Sequence, residues 1–78
     1  MSAGSAVEVD ATGVRCPIPV SRLAETIATV EIGTLVALRA TDPSSRVDVP
    51  VWCRLQRHRL QAVEEQGDGW RYLVVRSH

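Results

Sequence analysis

One short segment, Cys16-Pro17-Ile18-Pro19, holds the residues best suited to covalent chemistry. It joins a loop to a stretch with helical apolar spacing, so Cys16 is predicted at a helix N-cap or beside it. Pro17 and Pro19 are tolerated in a first helical turn and make the helix start rigid. The helix dipole, the free N–H groups of that turn and the neighbouring Arg15 are expected to favour a thiolate and lower the pKa of Cys16. The segment therefore predicts a nucleophilic cysteine whose persulfide is also held as an anion.

The two cysteines of the chain have different interpretations. A packing role is the alternative for Cys16, because Cys is often buried, although Ser, Asp or Asn would cap a helix better. Cys53 falls inside the second predicted helix, where a buried, inert thiol is expected; the alternatives are a resolving thiol for Cys16 or a metal ligand with His58. No metal site is expected, because Cys53 and His58 are five residues apart, off one helix face, and two soft ligands do not make a zinc site.

The elements that position Cys16 are predicted in the order β-α-β-α-β-β. Strands are indicated by alternation or by aliphatic runs, and a glycine-containing turn at Gly67-Asp68-Gly69 predicts a hairpin between the last two. Two helices on one face of a four-stranded sheet give an α+β fold that suits so short a chain. The predicted strands cover about Val7–Asp10, Thr34–Ala40, Leu60–Gln66 and Trp70–Arg76.

The two helices are predicted from different signals. Apolar residues at i, i+3, i+4 and i+7 place the first over about Pro17–Thr29. The second is expected between Ser44 and about Arg59, with Asp48 as its N-cap and Pro50 in its first turn. Its core-facing residues are expected to be Val51, Leu55 and Trp52.

Composition narrows the class of protein. The chain has 78 residues, 45% of them apolar, and its nine basic residues balance nine acidic ones. One domain is expected over residues 7–78, after a flexible N-terminus at residues 1–6. Zero net charge argues against nucleic acid as a direct ligand, and the short apolar runs argue against a membrane span. With no signal-like N-terminus and only two cysteines, a cytoplasmic protein with reduced thiols and no cofactor or metal is expected.

Four arginines cluster around the second predicted helix, opposed locally only by Asp48. They form either a solvated helix face or an electrostatic docking surface for an acidic partner protein. These residues are Arg46, Arg54, Arg57 and Arg59.

The spacing around Cys16 also carries a resemblance. The stretch Asp10-x-x-Gly13-x-x-Cys16-Pro17-x-Pro19 resembles the signature of the TusA/SirA-like family of small sulfur-carrier proteins. The likeness covers nearly the whole chain, from about Val7 to Arg76, and ends in the same hairpin. It continues, at the family's spacing, through Asp42-Pro43, Asp48-Val49-Pro50 and Cys53.

The resemblance implies a fold and the role of each motif residue. The implied fold is a two-layer β-α-β-α-β-β sandwich, with a four-stranded mixed sheet and two helices packed on one face. Cys16 is implied to accept a sulfane sulfur as a persulfide and to pass it to a partner protein. Pro17 and Pro19 fix the helix start, and Arg15 matches a commonly basic position. The remaining supporting residues of the motif are Gly13 and Asp10.

The resemblance also implies partners. The sulfur donor would be a cysteine desulfurase or a rhodanese-like protein, and the acceptor a relay protein in tRNA thiolation, molybdenum-cofactor synthesis or sulfur oxidation. Two positions depart from the tRNA-thiolation members, because Ile18 fills an often acidic slot and Val47 an often basic one.

Three hypotheses for function follow. The first is a monomeric sulfur carrier of the sulfurtransferase type, which works by thiol–persulfide exchange and not as a stand-alone enzyme. The second is a non-catalytic interaction or regulatory module on the same scaffold. The third is a redox switch through a disulfide between Cys16 and Cys53, which requires their Cα atoms within about 7 Å.

Overall fold

A computed structural model describes residues 6–78, so residues 1–5 of the segment predicted to be flexible lie outside the described part. The order of elements is the predicted one, and each strand end agrees with its prediction to within one residue. No helix of the described residues is long and apolar enough to cross a membrane. The elements are β1 (Val7–Ala11), α1 (Ile18–Ile27), β2 (Leu35–Ala40), α2 (Ser45–Gln56), β3 (Arg59–Gln66) and β4 (Gly69–Val75).

The four strands form one mixed sheet in the order β1-β2-β4-β3. β1 and β2 are parallel and connected through α1, whereas β4 is antiparallel to both β2 and β3. The register places Val9 beside Leu38 and Leu38 beside Tyr72. These side chains face the helices, because residues directly opposite in neighbouring strands point to the same side of a sheet. The predicted α+β fold, with a mixed sheet and two helices on one face, is confirmed.

The core between the helices and the sheet is largely aliphatic. Leu23 and Ile27 of α1 are buried against it, as are Val49 and Cys53 of α2. Burial of each such aliphatic side chain contributes about 1.5–3 kcal/mol, so this layer is the main source of the stability of so small a domain.

The opposite face of the sheet carries no helix in the described residues. Its apolar residues Ala37 and Leu73 are nevertheless buried. Arg71 lies across this face and forms ion pairs with Glu8 at 2.7 Å and with Glu64 at 3.3 Å. The long polar side chains thus shield the apolar strand residues between them.

Helix α2 begins earlier than the sequence suggested. Ser44 is its N-cap, Asp48 lies in the first turn and Pro50 lies inside the helix, so the predicted cap at Asp48 and first-turn position of Pro50 are wrong. The early start is stabilised by Asp42, whose carboxylate accepts the Ser44 N–H at 3.0 Å and whose carbonyl accepts the Ser45 N–H at 2.9 Å. Pro50 is tolerated inside the helix, where it removes one backbone hydrogen bond.

The side of α2 that faces the core also differs from the prediction. Ser45, Val49 and Cys53, spaced four residues apart, are the buried ones. Val51 and Leu55 are exposed, so their predicted core positions are wrong. Trp52, also predicted to face the core, is partly buried and packs against it.

A buried pair of hydroxyl groups ties α2 to the sheet. Ser45 Oγ and Tyr72 Oη lie 2.7 Å apart, and both residues are fully buried. Tyr72→Phe is expected to cost about 1–3 kcal/mol of unfolding free energy, because it leaves the Ser45 hydroxyl without its partner. Urea unfolding of the wild type, both single variants and the Ser45→Ala/Tyr72→Phe double variant measures the effect. The double variant should cost less than the two single losses combined; strict additivity would contradict the pairing.

Candidate functional site

Two loops meet at one end of the sheet because β1 and β2 run parallel. The loop after β1 begins with a turn in which the Asp10 carboxylate accepts the Thr12 N–H at 3.0 Å and the Thr12 hydroxyl at 2.7 Å. Gly13 then takes a positive φ of 79° and donates its N–H to Thr41 Oγ1 at 2.9 Å. Asp10 and Gly13 therefore shape the loop that carries Cys16.

A single carboxylate holds the backbone of Cys16. The Cys16 N–H donates to Asp42 Oδ2 at 2.8 Å, while Asp42 Oδ1 accepts the Ser44 N–H at 3.0 Å. These backbone N–H groups, together with the nearby Arg15 guanidinium, hold the pKa of the Asp42 carboxyl below its usual value. Asp42 is thus an ionised link between the loop that precedes α1 and the loop that precedes α2.

The start of α1 is poor in hydrogen-bond donors. Cys16 directly precedes Pro17, the N-cap, and the peptide bond between them is cis. Pro17 and Pro19 have no N–H, and the Ile18 N–H donates to the Arg15 carbonyl at 3.0 Å. The first turn therefore offers few of the free N–H groups that make a helix N-terminus attractive to anions.

The ionisation of Cys16 is opposite to the prediction. Burial, followed by a hydrogen bond to the Asp48 carboxylate and the negative charges of Asp48 and Asp42, raises the pKa of Cys16 to about 11. The predicted lowering of the pKa is therefore wrong. Arg15, expected to favour the thiolate, lies by Asp42 instead. The isolated protein holds Cys16 as a partly exposed neutral thiol at physiological pH.

The second cysteine lies away from solvent. Cys53 is 2% exposed within the core cluster, and burial raises its pKa to about 11. The predicted buried position is confirmed, and both cysteines are free thiols. His58 stacks between Trp52 and His78, at ring-centroid distances of 5.6 and 4.8 Å, and is not paired with Cys53. Within residues 6–78, no group of three His, Cys, Asp or Glu side chains is arranged to hold a metal ion.

The four arginines predicted as a cluster are dispersed. Arg46 lies over an indole ring, 5.6 Å from its centroid, at the hairpin end of the sheet. Arg54 is exposed near the end of α2, and Arg57 is its left-handed C-cap. Arg59 lies in β3, and the strand register turns it toward the sheet face without helices. Only Arg54 and Arg57 remain as neighbours on the exposed side of α2.

Comparison with known proteins places this site in a family. The family model described as Sulfurtransferase TusA matches residues 7–76. The chain belongs to the TusA family. A candidate sulfur carrier protein of Archaeoglobus fulgidus is 38% identical to this TusA-family chain over 68 residues, which cover 87% of this chain and 93% of that protein.

A solved structure confirms the family fold. The crystal structure of the SirA-like protein from Desulfitobacterium hafniense matches this TusA-family chain with a TM-score of 0.78 and 23% sequence identity. The match covers 92% of this chain and 99% of that one.

Two features of this TusA-family site were not predicted. Asp48 belongs to the motif spacing, but the sequence suggested a helix cap, whereas the structure places its carboxylate by the Cys16 thiol. Thr41, which fixes Gly13, had no signal beyond its position next to Asp42. Each contact joins a residue just before α1 to a residue at or just before the start of α2, and these are distant in sequence. Patterns within one amino-acid sequence report mainly local structure.

Proposed function

We propose that this protein carries sulfane sulfur as a persulfide on Cys16, taking it from a donor protein and giving it to an acceptor protein. The observation that carries the proposal is the placement of one partly exposed thiol at the start of α1, while the other thiol is buried in the core. Membership of the TusA family and the likeness to a candidate sulfur carrier support the same role.

The transfer needs thiol chemistry alone. In loading, the thiolate of Cys16 attacks the outer sulfur of a donor persulfide; the donor S–S bond breaks, and the donor cysteine leaves as a thiolate that takes up the proton lost by Cys16. In unloading, a thiolate of the acceptor attacks the outer sulfur on Cys16, and Cys16 leaves as a thiolate and is protonated again. Each step exchanges one S–S bond for another, so no external oxidant or reductant is consumed.

The surroundings of Cys16 affect loading and unloading differently. The Asp48 carboxylate and partial burial disfavour a thiolate in the isolated protein, so loading requires a change in the surroundings of the thiol. The same groups favour protonation of Cys16 once its sulfur has been removed. The resting carrier is thereby protected from unspecific oxidation and alkylation, which attack the thiolate form.

The proposed partners are those of a sulfur relay. A cysteine desulfurase or a rhodanese-like protein supplies the sulfur, and a relay protein for tRNA thiolation, cofactor biosynthesis or sulfur oxidation accepts it. The carrier acts as a monomer in the cytoplasm, where thiols are kept reduced.

Mass spectrometry of the intact protein tests the proposal. After incubation with a cysteine desulfurase and L-cysteine, or with a rhodanese and thiosulfate, the wild type should gain about 32 Da, one sulfur atom, on Cys16. Cys53→Ser should gain the same mass, whereas Cys16→Ser should gain none. Absence of the adduct on the wild type with both donor classes, or equal loading of Cys16→Ser, would refute the proposal.

A further inference from the structure

The solvent-facing side of α2 carries a line of three large apolar side chains. Val47 is 65% exposed, Val51 45% and Leu55 71%. Their spacing of four residues aligns them on one face of the helix over about 12 Å. We call this line the α2 ridge. It lies on the side of the helix opposite to its buried residues, and an exposed apolar line of this kind marks a contact surface.

The α2 ridge begins beside the reactive sulfur. The Cys16 N–H donates to Asp42 Oδ2 at 2.8 Å, just before α2 begins. Asp48, whose carboxylate acts on the Cys16 thiol, follows Val47 in the chain and lies one turn before Val51. Ile18, another exposed apolar residue at 43%, lies in the first turn of α1 just after Cys16. A protein that covers the ridge therefore also reaches the thiol.

Positive charge borders the far half of the ridge. Arg54 lies next to Leu55 and one turn after Val51, and Arg57 follows at the C-cap; both are exposed. The ion pairs found within residues 6–78 belong to Arg71, so the charges of Arg54 and Arg57 face solvent. A partner that lies along this side of α2 and complements these positive charges carries carboxylates there.

The size and charge of the ridge favour a transient partner over a second copy of the chain. A stable dimer buries about 800 Å² per partner and uses about 20–30 residues on each side, far more than three side chains. In a two-fold antiparallel pairing of α2 helices, the same edges of the two ridges face each other. Arg54 would then lie on the same side as its counterpart, and the two positive charges would repel.

We propose that the α2 ridge and Arg54 form the docking site for the protein that delivers sulfur to Cys16, which presents an apolar patch bordered by carboxylates. This inference rests on the proposed carrier function. Delivery is assigned in preference to removal because loading is the step in which Cys16 itself attacks, and the ridge starts next to the Asp42 and Asp48 carboxylates that surround Cys16. An apolar partner surface over the ridge would also cover Asp48, next to the thiol.

The first test removes the apolar contacts. Loading of Cys16 by a cysteine desulfurase with L-cysteine, and by a rhodanese with thiosulfate, is followed by mass spectrometry for the wild type and for Val47→Ser/Val51→Ser/Leu55→Ser. We expect the triple variant to lower kcat/KM for the carrier by about tenfold or more, mainly through KM, with whichever donor loads the wild type. Chemical loading by sodium polysulfide, which needs no docking, should be unchanged, and this also shows that the variant is folded around Cys16.

The second test uses a matched pair of charge reversals. Arg54→Glu should slow loading by the donor protein several-fold and reduce its dependence on ionic strength. Arg59→Glu makes the same change of charge on the opposite side of the molecule and should load like the wild type. Equal effects of the two reversals would overturn the assignment of Arg54.

The remaining outcomes separate the two proposals. If a donor protein loads the wild type and the triple variant equally well, the ridge proposal is wrong and the carrier function stands. If neither donor protein loads wild-type Cys16, the carrier function itself fails, and the docking proposal fails with it, whether or not polysulfide loads the thiol. If the free wild type elutes as a dimer in size-exclusion chromatography and the triple variant as a monomer, the ridge binds a second copy, which overturns the proposal.

Discussion

Asp48→Asn is expected to make Cys16 react with iodoacetamide about three- to tenfold faster near pH 7.5. Burial is the largest cause of the Cys16 pKa of about 11; the Asp48 carboxylate adds to it by accepting a hydrogen bond from the neutral thiol and by repelling the thiolate. Asparagine has nearly the same shape but no charge, and its amide can donate to a thiolate. The variant should therefore have a lower Cys16 pKa.

The size of the effect follows from two opposing terms. Each unit by which the pKa falls raises the thiolate fraction about tenfold at a pH far below the pKa. A less basic thiolate is also less nucleophilic, with a Brønsted coefficient of about 0.4–0.5, so the net gain is about three- to fourfold per unit. The larger thiolate population thus outweighs the loss of intrinsic reactivity.

Alkylation rates between about pH 7 and pH 11 give the measurement. The wild-type rate should keep rising toward a midpoint near pH 11, whereas the variant should reach its midpoint at lower pH. Glu31→Gln makes the same change of charge beyond the far end of α1 and should match the wild type. A wild-type midpoint near 8.5, or an Asp48→Asn profile identical to that of the wild type, would show that the carboxylate does not control the thiol.

Local sequence signals predict the position of Cys16 but not the ionisation of its thiol. The position of Cys16 at the start of α1 could be predicted, because prolines, a glycine and apolar spacing are local signals. The state of its thiol could not, because it depends first on burial in the folded protein and then on the negative charges of Asp42 and Asp48 from another part of the chain. The same two prolines that identify the helix start also remove N–H groups that would have stabilised a thiolate.

The fold shows a similar division between local and tertiary causes. Strands and turns were predicted to within one residue, since alternation and glycine-containing turns are strong signals. The register of α2 was not predicted, because Asp42 starts the helix before Asp48 and leaves Pro50 inside it. The consequence is functional, since Val51 and Leu55 point into solvent and form part of the α2 ridge.

Gly69→Ala is expected to destabilise the protein by about 3 kcal/mol, the upper part of the usual range for overpacking, and to lower Tm by roughly 10–25 °C. Gly69 is buried at the start of β4, and a Cβ added there would overlap the Ala40 carbonyl oxygen and lie 2.9 Å from Thr41 Cγ2 and 3.0 Å from Thr41 Cα. Two of these atoms belong to the backbone at the end of β2. They cannot move aside without disturbing the pairing of β2 with β4.

The displacement should reach Cys16 as well as the sheet. Thr41 Oγ1 accepts the Gly13 N–H at 2.9 Å, and the next residue, Asp42, accepts the Cys16 N–H at 2.8 Å. Below its Tm, Gly69→Ala should therefore show an altered alkylation rate at Cys16, which a purely local loss of stability would not produce.

The matched control is another glycine of the same turn. Gly67 has a φ of 60° and no atom within 4 Å of an added Cβ, so Gly67→Asn should change Tm by only about 2–3 °C, because asparagine tolerates left-handed backbone. Thermal unfolding and iodoacetamide kinetics on the two variants separate the effects of space and of backbone conformation. A Gly69→Ala protein as stable as Gly67→Asn, with wild-type alkylation, would mean that the close approach of β4 to Ala40 and Thr41 does not hold the loop that anchors Cys16.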